Sequence, residues 1–205
     1  MRAKNERLKF TFLHNINPVV RFLIISDTIF MGGMGLLGPI FALYINDFII
    51  GGNEAVAGVA AAIYLFTKSG LQVPVAYMID RIKGETDDFW VVFLFTVIIS
   101  IMPIAYLFID TPLELYIVQF IIGILTAFTF PSFMALFTRH IDKKKEGTEW
   151  GAYYSMTDLT SAGFAAVGGY LAMSQGFNVL IIVVVIVSLS GALLLWPIRS
   201  HLKFK

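Results

Sequence analysis

The sequence predicts an all-α membrane protein: six transmembrane helices in one bundle, arranged as a 3+3 inverted repeat. Three observations predict it. Of the 205 residues, 58% are hydrophobic and only 14% charged, whereas a soluble domain carries about 25% charge. The apolar residues gather into six runs, each near or above the roughly 20 residues that a helix needs to cross a hydrocarbon core of ~30 Å. The basic residues between the runs fall almost wholly on one side of the resulting zigzag.

The first run, Val19–Ile45, follows a basic segment (residues 1–18) with Arg2, Lys4, Arg7 and Lys9. It is too long for the apolar region of a secretory signal and has no A-x-A-like cleavage site, so it reads as an uncleaved span. The others are Ala55–Ile79, Phe89–Ile109, Leu115–Phe137, Gly151–Met173 and Val179–Pro197, which closes a membrane domain of residues 19–197 before a tail of residues 198–205. Unsatisfied backbone groups cost several kcal/mol in lipid, so these runs must be helices; the short alternating strands of a closed barrel are not present.

Arg81 and Lys83 lie between spans two and three, Arg139 and Lys143–Lys145 between four and five, and Arg199, Lys203 and Lys205 in the tail. The opposite loops carry Asp47, Glu54, Asp110 and Glu114 without Lys or Arg. By the positive-inside rule both termini are expected in the cytoplasm. Trp90, Trp150 and Trp196 mark span ends, as interfacial aromatics do. The expected location is a prokaryotic inner membrane.

A net charge of +1 gives no reason to expect nucleic acid as a partner. Cys is absent, which excludes disulfides and thiolate metal sites. His14, His140 and His201 share no ligand spacing, and no phosphate-binding or hydrolase motif is found. The reading is of a protein that is not an enzyme, with no cofactor and no metal.

Three ionisable residues stand inside spans: Asp27, Lys68 and Asp158. Lys68 lies about 18 Å along its helix from Asp80. Each such charge costs around 2.5–3.5 kcal/mol at the bilayer centre on insertion scales, so each is expected to face protein or water. Two readings are compatible: an ion pair between Asp27 and Lys68 that ties spans one and two, and a polar cavity that binds substrate or protons. The neighbours favour the cavity. Tyr64, Lys68 and Gln72 share one helix face, as do Tyr154, Asp158 and Ser161 on span five. Gln119, Thr126 and Thr129 mark span four, and Met31 and Met34 continue the side of Asp27. Spans three and six carry no ionisable residue and read as lipid-facing supports. The pattern of two polar spans followed by a plain one occurs twice, and a repeat of three spans must be inverted.

The stretch AYMIDRIKGE resembles the loop signature of the major facilitator superfamily, G-x-x-x-D-R-x-G-R-[RK]. Asp80 and Arg81 match its Asp-Arg pair, Ala76 replaces the first Gly, Lys83 is an added residue before Gly84, and Glu85 replaces an Arg. Gln119 stands where the family's span-four motif has an Arg before a Gly, here Gly123. SAGFAAVGGYL is similar to the family's antiporter motif, with Gly168 and Gly169 kept and Phe164-Ala165 in place of Gly-Pro.

The resemblance implies a half bundle of that family, similar to its N-terminal half, with Asp80, Arg81 and Gly84 in a gating role. It implies a transporter of small organic solutes by alternating access, with protons as the coupling ion. Six spans are half the family's usual twelve, so a parallel homodimer is expected, with substrate between the two copies. Asp27, Lys68, Asp158, Tyr64, Gln72, Gln119, Tyr154, Met31 and Met34 are the expected solute- and proton-binding set. The alternative is a non-transporting membrane subunit that pairs with a different six-helix chain.

Overall fold

The computed structural model describes residues 16–82 and 84–202; Arg2, Lys4, Arg7, Lys9, His14, Lys83, Lys203 and Lys205 lie outside them. The described residues form helices and no strand. Helix α1 (Pro18–Gly35) begins where the Asn17 side chain accepts a hydrogen bond from Val19 N and Pro18 occupies the first turn, a position where its missing N–H costs nothing. The predicted first span is not one continuous helix. Past Gly35 the chain tightens into a 3₁₀ turn, Gly38–Ile40, before α2 (Phe41–Phe48), because Pro39 cannot donate to the helical ladder.

Asn53 caps α3 (Glu54–Arg81) through Val56 N. α4 (Thr86–Ile101) again passes into a 3₁₀ turn, Met102–Leu107, at Pro103. α5 (Pro112–His140) opens with a capping box in which Thr111 and Glu114 exchange hydrogen bonds, satisfying two donors that the first turn leaves free. α6 (Glu146–Gln175) ends at Gly176, whose φ of +82° suits glycine. α7 (Phe177–Leu193) is followed by the 3₁₀ turn Trp196–His201 at Pro197.

Among the described residues, five stretches are long and apolar enough to cross a membrane: Pro18–Phe48, Glu54–Arg81, Thr86–Leu107, Pro112–His140 and Phe177–His201. The predicted fifth span is the exception. It forms α6, whose 30 residues cover about 45 Å, but Tyr153–Ser155, Thr157, Asp158, Thr160 and Ser161 make it the least apolar of the six long helices. It still runs the length of the bundle, with Trp150 and Tyr153 in the cluster that holds Ile16 and Leu202, and Leu171 and Ala172 in the cluster at the other end.

Those two clusters are the core. One gathers Val20, Leu23, Phe89, Leu136, Phe137 and Ile198; the other gathers Leu36, Tyr44, Ile45, Leu115, Leu180 and Val184. α1 packs on α6 and α7, α5 on α3 and α4, and α4 on α7. Spans three and six are therefore not merely lipid-facing. α7 buries Leu180, Ile181, Val184, Ser188 and Gly191, although Ile182 and Ile186 point outward. In contrast, α3 buries only Ala60, Val75 and Ile79, and α6 only Glu149, Thr157 and Gly168.

Without a hydrophobic drive between helices in lipid, close packing requires small residues at the contacts. α1 meets α7 through two of them: a Cβ on Gly33 would lie 2.6 Å from Ser188 N, and one on Gly191 would lie 2.4 Å from Phe30 N. Gly168 sets α6 against the Leu36 carbonyl in the same way. Gly191→Ala must therefore push α7 off α1, and an overpacking cost of about 1–3 kcal/mol is expected. A lower thermal unfolding midpoint in detergent checks it, beside Gly147→Ala, where the added Cβ meets open space and the midpoint holds. An unchanged midpoint for Gly191→Ala contradicts the close approach.

Candidate functional site

α1 stands apart from α3, packed instead on α6 and α7, while α3 lies on α5. The space between is a cavity of about 640 Å³, with α4 and α6 adding to its wall. Asp27 and Lys68 are the only Asp, Glu, Lys or Arg side chains among the described residues that line it. Asp27, Met31 and Met34 follow one another along the α1 face at helical spacing, and Ala61, Tyr64 and Lys68 do the same on α3.

The acid and the base do not form the ion pair considered above. The Asp27 carboxylate accepts a hydrogen bond from the Tyr153 hydroxyl of α6 at 2.7 Å. The Lys68 ammonium lies over the rings of Phe130, at 5.1 Å, and Tyr64, at 5.9 Å. The reason is the packing: α1 is not in extensive contact with α3, so each charge finds its partner on the helix its own helix lies against or on its own helix.

Gln119 also lines the cavity and donates to the Tyr106 hydroxyl at 3.1 Å. Thr126 and Thr129 return their hydroxyl protons to the carbonyls of Ile122 and Leu125, so they add little free polarity. Gln72, Tyr154 and Asp158 are not on the wall. Lys68 is the last α3 residue that reaches it. On α6 it is Tyr153 that turns inward; Tyr154, about 100° further round the helix, stacks on Trp150, and Asp158 is exposed on the outside of the bundle.

Tyr153, Tyr106 and the α4 residues Val92, Thr96 and Ile99 line the cavity without having been singled out in the sequence. A tyrosine beside another tyrosine, and a threonine in an apolar run, carry no distinguishing spacing.

A second polar cluster joins α4, α5 and α6 at the end where Ile16 and Leu202 lie. Arg139 of α5 reaches the Asp88 carboxylate and also donates to the Gly84 carbonyl at 3.1 Å. Asp88 is 1% exposed. His140 Nε2 lies 3.7 Å from Glu85. Glu149, fully buried, accepts from the Asp142 backbone N–H, and burial raises its carboxyl pKa against the lowering effect of that hydrogen bond. Gly84 thus meets a charge pair that the positive-inside reading of Arg139 did not foresee. The Asp80-Arg81 pair does otherwise: Arg81 folds back onto Tyr77, donating to its hydroxyl and stacking on its ring, and Asp80 is exposed.

A polytopic helical bundle with an acid and a base on an internal cavity defines an integral membrane protein. The chain belongs to the Major Facilitator Superfamily, a family of membrane transporters, whose family model matches residues 23–203. No curated protein and no solved structure matches it.

Removing Arg139 leaves Asp88 buried without its cation, and breaking a buried pair costs roughly 3 kcal/mol at the low end. Arg139→Gln is expected to lower the unfolding midpoint clearly, and Arg139→Gln with Asp88→Asn to recover much of the loss, as thermal scans of the two variants would show.

Proposed function

We propose that this protein moves a small organic solute across a lipid bilayer by alternating access, coupled to protons, as a parallel homodimer with both termini in the cytoplasm of a prokaryotic cell. The observation that carries the reading is the cavity, where Asp27 and Lys68 are held apart on a largely apolar wall. Charges kept inside a membrane bundle mark solute and ion pathways. Asp27 is the proposed proton carrier, because its carboxylate has a single hydrogen-bonded partner among the described residues, the Tyr153 hydroxyl.

The 3+3 inverted repeat is supported by the order of packing. α1 lies on α6 and α7 as α5 lies on α3 and α4, and α4 meets α7; exchanging the first three spans for the last three reproduces these pairs, and the α6–α7 contact has no comparable α3–α4 counterpart. Pairing of two bundles is supported by the bare faces of α3 and α6. Leu65, Phe66, Val73 and Met78 on α3, and Leu159, Tyr170 and Met173 on α6, are exposed, and added Cβ atoms at Gly58, Gly70, Gly163 and Gly169 would meet nothing. Asp158 is exposed on that same α6, at a depth where lipid solvates it poorly. A second, different six-helix chain covering these faces is the competing reading. Gating by Asp80, Arg81 and Gly84 is supported at Gly84, whose carbonyl accepts from Arg139 of the Arg139–Asp88 pair that ties the loop before α4 to the end of α5.

Two measurements test this. Single-molecule photobleaching of singly labelled, sparsely reconstituted protein is expected to show two steps; one step throughout removes the homodimer. In proteoliposomes, Asp27→Asn is expected to abolish gradient-driven transport and leave solute exchange intact. Full driven transport by that variant removes Asp27 as the proton carrier.

A further inference from the structure

The two charges of the cavity are not equivalently held, and that difference points to the kind of solute. Asp27 already has a hydroxyl donor in Tyr153. Lys68 carries three N–H donors and makes no hydrogen bond or ion pair with any described residue; its neighbours are the faces of Phe130 and Tyr64. The Tyr64 hydroxyl, one helical turn away on the same wall, also has no hydrogen-bond partner among the described residues. Ring faces stabilise an ammonium group but accept none of its protons in the plane where an oxygen would. Two neighbouring donors without an acceptor, in a cavity lined by Phe30, Met31, Met34 and Phe133, make a receptor for an anionic head on an apolar body.

Resting on the transport reading above, we infer that the solute is an amphipathic organic anion whose carboxylate is bound by Lys68 and Tyr64. Its hydrocarbon or aromatic part lies along the methionine and phenylalanine side chains of α1 and α5. A cation would meet Lys68 as a like charge at close range, which costs binding in a medium of low dielectric. A zwitterion would in addition have to bring its ammonium group to the Asp27 oxygen that Tyr153 leaves free.

The test compares three radiolabelled solutes of similar shape: phenylbutyrate, phenylbutylamine and homophenylalanine. Binding is measured to protein in lipid nanodiscs, with empty nanodiscs as the control for partition into lipid. Wild type is expected to bind phenylbutyrate most tightly. Lys68→Gln is expected to weaken that binding by about tenfold to a hundredfold, the range for losing a charge-assisted hydrogen bond. Lys68→Arg, which keeps a cationic donor, is expected to retain it, showing that the Gln variant has lost a charge and not its fold.

Equal or tighter binding of phenylbutylamine or homophenylalanine overturns the inference. So does unchanged phenylbutyrate binding by Lys68→Gln, or no binding of any of the three. Phenylbutyrate binding without uptake into proteoliposomes leaves the anion site standing and removes the transport reading. Uptake of phenylbutylamine without phenylbutyrate binding does the reverse.

Discussion

The structure depends on one constraint: a polar group in hydrocarbon must find its partner within the protein. The backbone meets it by forming helices throughout. The hydroxyls of Thr126, Thr129, Thr157 and Ser188 meet it by bonding to carbonyls three or four residues back on their own helices. The charges cannot be met locally, so they decide the interior. Asp27 draws Tyr153 across from α6, and Lys68 is placed between two rings. A bundle that simply maximised apolar contact would have closed this cavity.

What keeps it open is the seating of α1. Gly33 and Gly191 let α1 and α7 meet backbone to backbone, and Gly168 brings α6 against the end of α1. On the far side Gly123 sets α5 against α3. Two tightly joined groups result, with α4 and α7 in contact between them, and the cavity is the gap that remains. The break at Gly38–Ile40 belongs to this arrangement. It lets α2 leave the line of α1, so that Phe41, Tyr44 and Phe48 meet Tyr106 and Phe177, tilted or edge-on, at the end opposite Ile16 and Leu202. Tyr44 closes that end further by donating to the Tyr106 carbonyl.

At the other end the constraint takes a different form. Asp88 and Glu149 are buried acids close to the ends of their helices. One oxygen of each lacks a hydrogen bond among the described residues. Arg139, about a third exposed, holds Asp88 from the rim. The three tryptophans gather at this end too: Trp90 and Trp196 meet edge to face beneath Arg199, and Trp150 stacks on Phe137.

The amino-acid sequence by itself determined the membrane class, the place of the long helices and the family, because length, apolar composition and the loop signature are properties of the chain in one dimension. It also located the Asp27–Met31–Met34 face, since helical spacing fixes which residues share a side. On α6 it singled out Tyr154 and Asp158, whereas Tyr153 is the residue that reaches Asp27. The physical reason is that lipid and protein interior are both apolar. A membrane helix therefore lacks the polar-out, apolar-in periodicity by which a soluble helix shows its buried side. Partners across the bundle, Asp27 with Tyr153 and Asp88 with Arg139, are separated by 126 and 51 residues. Only the packing of one helix on another, set by where glycine permits contact, decided which of them meet.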